Sequence, residues 1–570
     1  MLKWESALGR KRWWGPVGFY ALVSCVFTWP LVTRLTGWVP GFGDWGQNLW
    51  ALWWTRKALL VLGETPFYTR YLFYPDGVTL LFHPVDVGDG LLALPLYGLL
   101  PGETCYNLVV LFSFLLSGLG AYYLALSLFK NRAAALLVGL VFAISPYHMQ
   151  RIELGHLNLA SMQWIPFYLL FLLKYARQGR ARNALLAVVF MGLNALCSWY
   201  YVVICGCLSL LALAWFWIDR RVILLKLAGR VGLVLALSLL VLSPLLAPMF
   251  SLLHTTPFVG EHNPLRHSID LVSPWVPGPP STWATLFEPI WAPYAAQNRE
   301  PGASAYVGYS VLILGVMGLV LNRSQRRQIW WWVLVGGVFL LLGLGPQLQL
   351  RGRILDVTLP YDFLFRHVPG FSTTGVPGRF VVVTSLATAM LAGFGAAALL
   401  RRFPKRRRIM TVAALALASA ELLAIPLTGT STSLPGIYEH LAADGETYAI
   451  MDVKWDANYL LYAQTIHGKP MIAGWLARLP AEKAAYLDQG GLDKSLAYLV
   501  LGQDWQDYGD QEAMMAALNA GLARKKVRYI IDHNDMLGDW LTKQLGWTLV
   551  DQSDQENDAV TVYAAPPGGG

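Results

Sequence analysis

The chain has 570 residues, of which 55% are hydrophobic and only 14% charged, with a formal net charge of +9. That balance excludes a soluble enzyme, whose composition runs nearer ~25% charged residues, and points to a polytopic α-helical membrane protein. The positive excess is spread between apolar runs rather than gathered in one patch, so no nucleic-acid partner is indicated.

In chain order, apolar runs bounded by charge predict spans at Gly15–Val32, Asn107–Phe129, Ala133–Tyr147, Ala160–Leu173, Ala184–Ile218, Val231–Met249, Tyr306–Leu321, Ile329–Leu344, Phe380–Leu400 and Ile409–Ile425. The run Ala184–Ile218 would overshoot a ~30 Å hydrocarbon core at ~1.5 Å rise per residue. It is therefore expected to break near Ser198-Trp199-Tyr200, giving eleven spans. The first run has no small-residue cleavage site after it and is expected to be a retained anchor.

Charge then orients the spans. With a cytoplasmic N-terminus, every second connection is basic: Lys3 to Arg12, Lys130 and Arg132, Lys174 to Arg182, Arg220 to Arg230, Arg323 to Arg327, and Arg401 to Arg408. This alternation is what the positive-inside rule demands. Membrane lipids are thus obligatory neighbours.

The first outer loop, 33–106, opens on Gly41-Phe42-Gly43-Asp44. The next residues place Trp45, Leu49, Leu52, Trp53 and Leu60 on one helical stripe, opposite Gln47, Asn48, Arg56 and Lys57. That pattern predicts a helix lying in the membrane interface, with one carboxylate held at its start. Asp76 and Asp89 fall in Pro-Asp-Gly and Gly-Asp-Gly turns, whose local chemistry accounts for them. Glu421, near the outer end of the last run, is expected to reach the interface. All five cysteines lie in or beside spans and read as small buried residues.

After about 427 the composition changes. From Ile437 onward there are 19 Asp or Glu against 10 Lys or Arg. Short alternations at Tyr448–Val453, Val527–Asp532, Thr548–Val550 and Ala559–Tyr563 predict strands, and Asn458–Gln464, Ala481–Leu501 and Glu512–Leu522 predict helices. The expected organisation is a membrane module over 1–426, a small extracytoplasmic α/β domain over 427–563, and a disordered tail over 564–570.

Several stretches together resemble the GT-C fold of integral-membrane glycosyltransferases. They are Gly43-Asp44 with its Trp-rich helix, Tyr74-Pro75-Asp76-Gly77 followed by His83-Pro84, and Tyr106-Asn107-Leu108. Further on come Phe142 to Tyr147 running into Gly155-His156-Leu157-Asn158-Leu159, then Val368-Pro369-Gly370-Phe371 and Val376-Pro377-Gly378-Arg379-Phe380. The set resembles a bacterial branch ending in a small outer α/β domain. Relatives of that branch often carry an Arg where this chain has Gly375, which removes one phosphate contact.

The resemblance implies an inverting transfer of sugar from a polyprenyl-phosphate-type carrier to a glycan, lipid or protein acceptor on the outer face. Asp44 takes the place of the general base, since an attacking hydroxyl must lose its proton. The leaving phosphate needs a cation, for which Arg379, Arg56, Arg70, Lys57 and Arg151 are the candidates; Arg379 ranks first because it sits at a span entrance, where an uncompensated charge is costly, with Arg56 or Arg70 in support. Glu153 and His156 occupy the place of a second acid or a divalent metal ion; two donors alone make an incomplete metal site. Trp505-Gln506-Asp507-Tyr508-Gly509 is similar to an oligosaccharyltransferase acceptor motif with one position changed, and it is given no role. The alternative is a non-catalytic envelope or complex-assembly protein that keeps the fold. A transporter is disfavoured, because the spans are nearly free of ionisable residues.

Overall fold

The computed structural model describes residues 14–219, 224–260, 262–295, 305–368, 370–454, 456–489, 491–502, 510–555 and 558–566. The basic residues before 14, Arg220 and Arg221, the 505–509 motif and the last four residues of the tail lie outside them. By contacts the chain forms two compact units. Unit 1 comprises Met1–Gly43, Thr104–Pro244 and His262–Thr430, and unit 2 comprises Asp44–Glu103, Leu245–Glu261 and Ser431–Gly570. This division differs from the expected one at 426/427, because most of the first loop clusters with the C-terminal segment.

Unit 1 is helical. Among the described residues, four helices are long and apolar enough to cross a membrane: Gly102–Phe129, Arg132–Glu153, Lys226–Thr255 (which begins in unit 1) and Pro377–Arg402. Shorter apolar helices cover Trp14–Phe27, Ala181–Cys197, Trp199–Ala214 and Tyr309–Leu321. The chain is an integral membrane protein. The long 184–218 run breaks at Ser198, which is extended (φ −158°, ψ 123°) between helices ending at Cys197 and starting at Trp199.

Local chemistry sets the other boundaries. The Asn131 side chain accepts from the amides of Ala133 and Ala134 at 3.1 and 3.3 Å, capping the helix that starts at Arg132. That helix is interrupted after Ala143 and restarts at Pro146, where a proline suits the first turn.

Helices in lipid pack by small residues, because apolar transfer no longer separates helix from solvent. A Cβ on Gly395 would lie 1.7 Å from the Leu314 carbonyl oxygen, so the Tyr309–Leu321 helix crosses Val381–Arg402 backbone to backbone. Tyr20 fills the gap left by Gly118 and Gly139 and donates to the Leu136 carbonyl at 3.0 Å. Glu421 does not simply reach the interface. Its carboxylate accepts from Tyr306 Oη at 2.9 Å and from the Ser310 amide at 2.8 Å, and also from the Tyr309 amide and Ser310 hydroxyl. It caps a helix start more than a hundred residues away, where the macrodipole favours an anion. The five cysteines form no disulfide among the described residues and are at least partly buried.

The orientation drawn from charge makes a prediction. In a protein whose native cysteines are replaced, Gln178→Cys is exposed at a helix end and should resist a membrane-impermeant maleimide added to intact cells. Asp76→Cys, in the first loop, should react. Labelling at 178 from outside would overturn the orientation.

Unit 2 contains a four-stranded sheet. Its strands are β1 (Ala449–Asp452), β2 (Val527–His533), β3 (Thr548–Gln555) and β4 (Asp558–Ala564), in spatial order β3-β4-β2-β1. β1 and β2 are parallel; β2 pairs antiparallel with β4, which pairs antiparallel with β3. β1 is buried throughout. Helices Ala457–His467, Leu492–Leu501 and Gln511–Arg524 belong to the same unit, and the long helix expected over 481–501 is broken into three pieces, the last of them Leu492–Leu501. Ala564, expected to begin the tail, ends β4.

Candidate functional site

In unit 1 the helix Pro146–Glu153 buries Tyr147, His148 and Arg151. The Arg151 guanidinium lies 4.9 Å from the centre of the Tyr147 ring. It donates to Gln150 Oε1 at 3.2 Å and to His156 Nδ1 at 3.4 Å. The Tyr147 hydroxyl is 3.4 Å from that of Tyr201, which in turn donates to the Leu159 carbonyl.

A second guanidinium completes this region. Arg379 sits in the short turn Pro377–Phe380 that leads into the helix Val381–Arg402, and only 9% of it is exposed. Its guanidinium stands 3.8 Å over the Tyr200 ring. No carboxylate among the described residues pairs with it, and its Nε has no hydrogen-bond partner there. Tyr201 is within electrostatic reach of both Arg151 and Arg379. A cation–π contact offsets roughly 2 kcal/mol of the several that burying a guanidinium costs. The remainder is what a bound anion would relieve. The sequence ranked Arg379 first among the cations, but it did not reveal Arg151 as its neighbour around Tyr201. The available signal was the Tyr200-Tyr201 pair directly after the break at Ser198.

Glu153 ends this helix and His156 follows the turn after it, both partly buried. They belong to no three-donor group among the described residues, and the Arg151 guanidinium occupies His156 Nδ1. A divalent cation does not fit a two-donor pair with a fixed positive charge already against one donor. The same turn explains two glycines. A Cβ on Gly41 (φ +91°) would lie 2.4 Å from the Ile152 carbonyl oxygen, and one on Gly43 would lie 2.2 Å from that of Leu154. The Phe42 amide donates to the Glu153 carbonyl at 3.0 Å. These glycines admit protein backbone, which is enough to require them.

In unit 2, Asp44 is the residue before the helix Trp45–Arg56 and is partly exposed. Its side chain makes no capping bond to that helix. Its carbonyl is held instead, by the Asn48 amide at 3.2 Å and by Asn48 Nδ2 at 2.9 Å. The next turn is fixed from another element: the Gly46 amide donates to Asn458 Oδ1 at 3.1 Å, and a Cβ on Gly46 would lie 2.2 Å from the Asn458 carbonyl oxygen. The carboxylate's charge reaches the buried His83 ring and favours its protonated form. Burial outweighs that and pushes the imidazole pKa down to about 4.

The helix after Asp44 is not an interfacial helix with one open face. All eleven residues from Trp45 to Thr55 are buried, Gln47 and Asn48 included. Trp50 donates to Gln464 Oε1 at 2.7 Å and stacks on Trp54 with ring centres 5.8 Å apart, and Trp45 packs on Tyr462. Exposed apolar surface begins only at Leu59 to Leu62, in the π-helical turn that follows. Arg56 lies twelve residues beyond Asp44, roughly 18 Å along the axis, and its guanidinium is 5.9 Å from the Tyr97 ring centre. The helix therefore does not bring Arg56 to Asp44. Arg70 is exposed, just past the two-residue strand Tyr68–Thr69.

The family described as Domain of unknown function (DUF6311) matches residues 17–422. No curated protein matches the chain. Among solved structures, it is similar to the arabinofuranosyltransferase AftD from Mycobacteria, at 14% identity and a TM-score of 0.50, over 98% of this chain and 42% of that one. It is also similar to the oligosaccharyltransferase AglB from Archaeoglobus fulgidus in complex with an inhibitory peptide and a dolichol-phosphate, at 13% identity and a TM-score of 0.48, over 98% of this chain and 75% of that one. A third is ArnT from Cupriavidus metallidurans bound to undecaprenyl phosphate, at 13% identity and a TM-score of 0.46, over 97% of this chain and 99% of that one. At such identities the likeness is one of fold, and the fold is GT-C-like.

Proposed function

The chain belongs to the DUF6311 family, and from its GT-C-like fold and its buried Arg379 we propose that it is a membrane glycosyltransferase. It moves a sugar from a polyprenyl-phosphate-type carrier to an acceptor on the extracytoplasmic face of a bacterial plasma membrane. Asp44 takes the proton of the acceptor hydroxyl as that oxygen bonds to the anomeric carbon. The bond from that carbon to the carrier phosphate breaks on the opposite side, the configuration inverts, and the phosphate leaves with the electron pair. The reaction so written needs no metal.

The observation that carries this reading is Arg379, a buried guanidinium with no carboxylate partner among the described residues. A planar fork on a rigid helix entrance suits a phosphate, which it can grip with two parallel hydrogen bonds. Arg151 is the second cation of that region, and Arg70 an exposed further contact. Arg56 is the weakest of the original candidates, being tied to Tyr97. Glu153 serves as a second acid.

The test is Arg379→Lys in purified protein, assayed with synthetic short-chain polyprenyl-phosphate sugars by release of the free carrier phosphate. The variant keeps the charge and loses the fork. It should fold, and its KM for the carrier should rise about tenfold, the equivalent of ~1.4 kcal/mol. An unchanged KM removes Arg379 from the donor site; absence of carrier release by the parent protein with every sugar tried removes the transferase reading.

A further inference from the structure

Unit 2 holds a pocket of about 290 Å³ at some distance in sequence from Asp44, between the turn Phe73–Asp76 and the C-terminal segment. Three tyrosines line it, Tyr74, Tyr486 and Tyr498. Tyr486 is fixed in place: its ring meets Phe73 edge-on with centres 6.2 Å apart, and its hydroxyl donates to the Gly474 carbonyl at 3.0 Å. The rest of the lining combines apolar Phe73, Ile472 and Leu499 with charges in equal numbers, two carboxylates (Asp76, Glu482) and two ammonium groups (Lys483, Lys525). Asp76 Oδ2 lies 3.2 Å from Lys483 Nζ. Lys525 is held below the usual lysine range by burial, with the Asp76 charge opposing that shift.

Such a lining selects among ligand classes. An apolar ligand would strip water from four charges and return no hydrogen bonds. An anion would gain the two amines and meet the two acids, and a cation would do the reverse. An uncharged polyol suffers neither loss. Each of its hydroxyls can donate to a carboxylate and accept from an ammonium group, while the C–H face of a sugar ring lies flat on a tyrosine. The volume is near the lower end of the ~300–1,000 Å³ usual for small-molecule sites, which suits a short segment rather than a long chain.

We infer that this pocket binds an uncharged glycan segment. Assigning that segment to the acceptor rests on the transferase reading above; the binding itself does not. The full-length protein in lipid nanodiscs is titrated with maltotetraose, cellotetraose and an arabinan tetrasaccharide, and with tetragalacturonate as the charged control, followed by saturation-transfer NMR. At least one neutral oligosaccharide should saturate at millimolar concentration or below. Tyr498→Ala should weaken it tenfold or more, and so should Asp76→Asn, a change at a side chain 64% exposed that leaves the fold intact. The proposal is overturned by failure of all three neutral probes to bind at ~10 mM, by equal binding to both variants, or by preference for tetragalacturonate. Because no turnover is read, binding without carrier release would remove the transferase reading alone. Carrier release without glycan binding would remove the pocket alone.

Discussion

Asp44→Asn should lose ~100-fold or more in carrier-phosphate release while melting at the temperature of the parent protein. The size of the loss follows from the role: a positioned base contributes about 10²–10⁴-fold, and an amide of the same shape cannot take a proton. The unchanged stability follows from the surroundings. The Asp44 carbonyl is bound by the Asn48 amide and side chain, which the substitution keeps, and the carboxylate makes no capping bond to the following helix for it to break. Asparagine is as good as aspartate at a helix start. Asn48→Leu is the informative companion. It removes the side-chain bond to the Asp44 carbonyl and should lower both stability and turnover, because the position of the carboxylate is then less well defined. A purified Asp44→Asn protein that releases carrier phosphate at the parental rate ends the catalytic proposal. One that melts early and keeps its specific activity makes Asp44 a structural acid.

Acid should destabilise unit 2 between about pH 6.5 and pH 4. His83 is buried at 3% exposure, accepts from the Ala477 amide at 3.2 Å through Nδ1, and has its pKa pushed down to about 4 by burial. His467, also buried, is pushed down to about 3, again chiefly by burial. Both folded values lie below the ~6.5 of an exposed ring. The unfolded chain therefore binds the extra protons first as pH falls. The stability carried by the two neutral rings is complete above about pH 6.5 and is lost progressively below it. For His83 alone the loss by pH 4 is on the order of 3 kcal/mol, at ~1.4 kcal/mol per unit. Melting temperature read by tryptophan fluorescence from pH 7 to pH 4.5 should fall. His83→Asn keeps an acceptor for the Ala477 amide but does not titrate, so it should fall less. A flat profile, or the same slope in the variant, would show that these rings do not set the acid limit.

Both predictions depend on residues whose importance was unequally visible in the sequence. Asp44 could be singled out because it follows an apolar run and precedes a tryptophan-rich helix. His83 stood out only as part of the His83-Pro84 stretch of the resemblance, and nothing near Pro84 announces that the ring faces Trp50, with centres 6.3 Å apart, and the Ala477 amide almost four hundred residues on. Arg379 was legible for a local reason: a guanidinium at the start of an apolar run is costly unless something uses it. Its relation to Tyr200 and to Arg151 was not, because the three residues come from separate segments.

What the sequence determined by itself is whatever a local free energy decides. Transfer of side chains into hydrocarbon marks the membrane class and the apolar segments, and the thickness of that hydrocarbon marks the break near Ser198; the cap at Asn131 and the restart at Pro146, inside the expected Ala133–Tyr147 span, came from the structure. Only the tertiary structure decided what each segment faces. Periodicity gave the Trp45–Arg56 helix an apolar and a polar side, and from that alone one side belongs to water or lipid headgroups. The fold covers both, with Asn458, Tyr462 and Gln464 among the partners, because a polar residue can be buried whenever a distant chain brings its hydrogen-bond partner. Glu421 shows the same physics at a helix end, its acceptors satisfied by residues 306–310. A hydrogen bond between residues a hundred or more positions apart leaves no trace in the pattern of either segment.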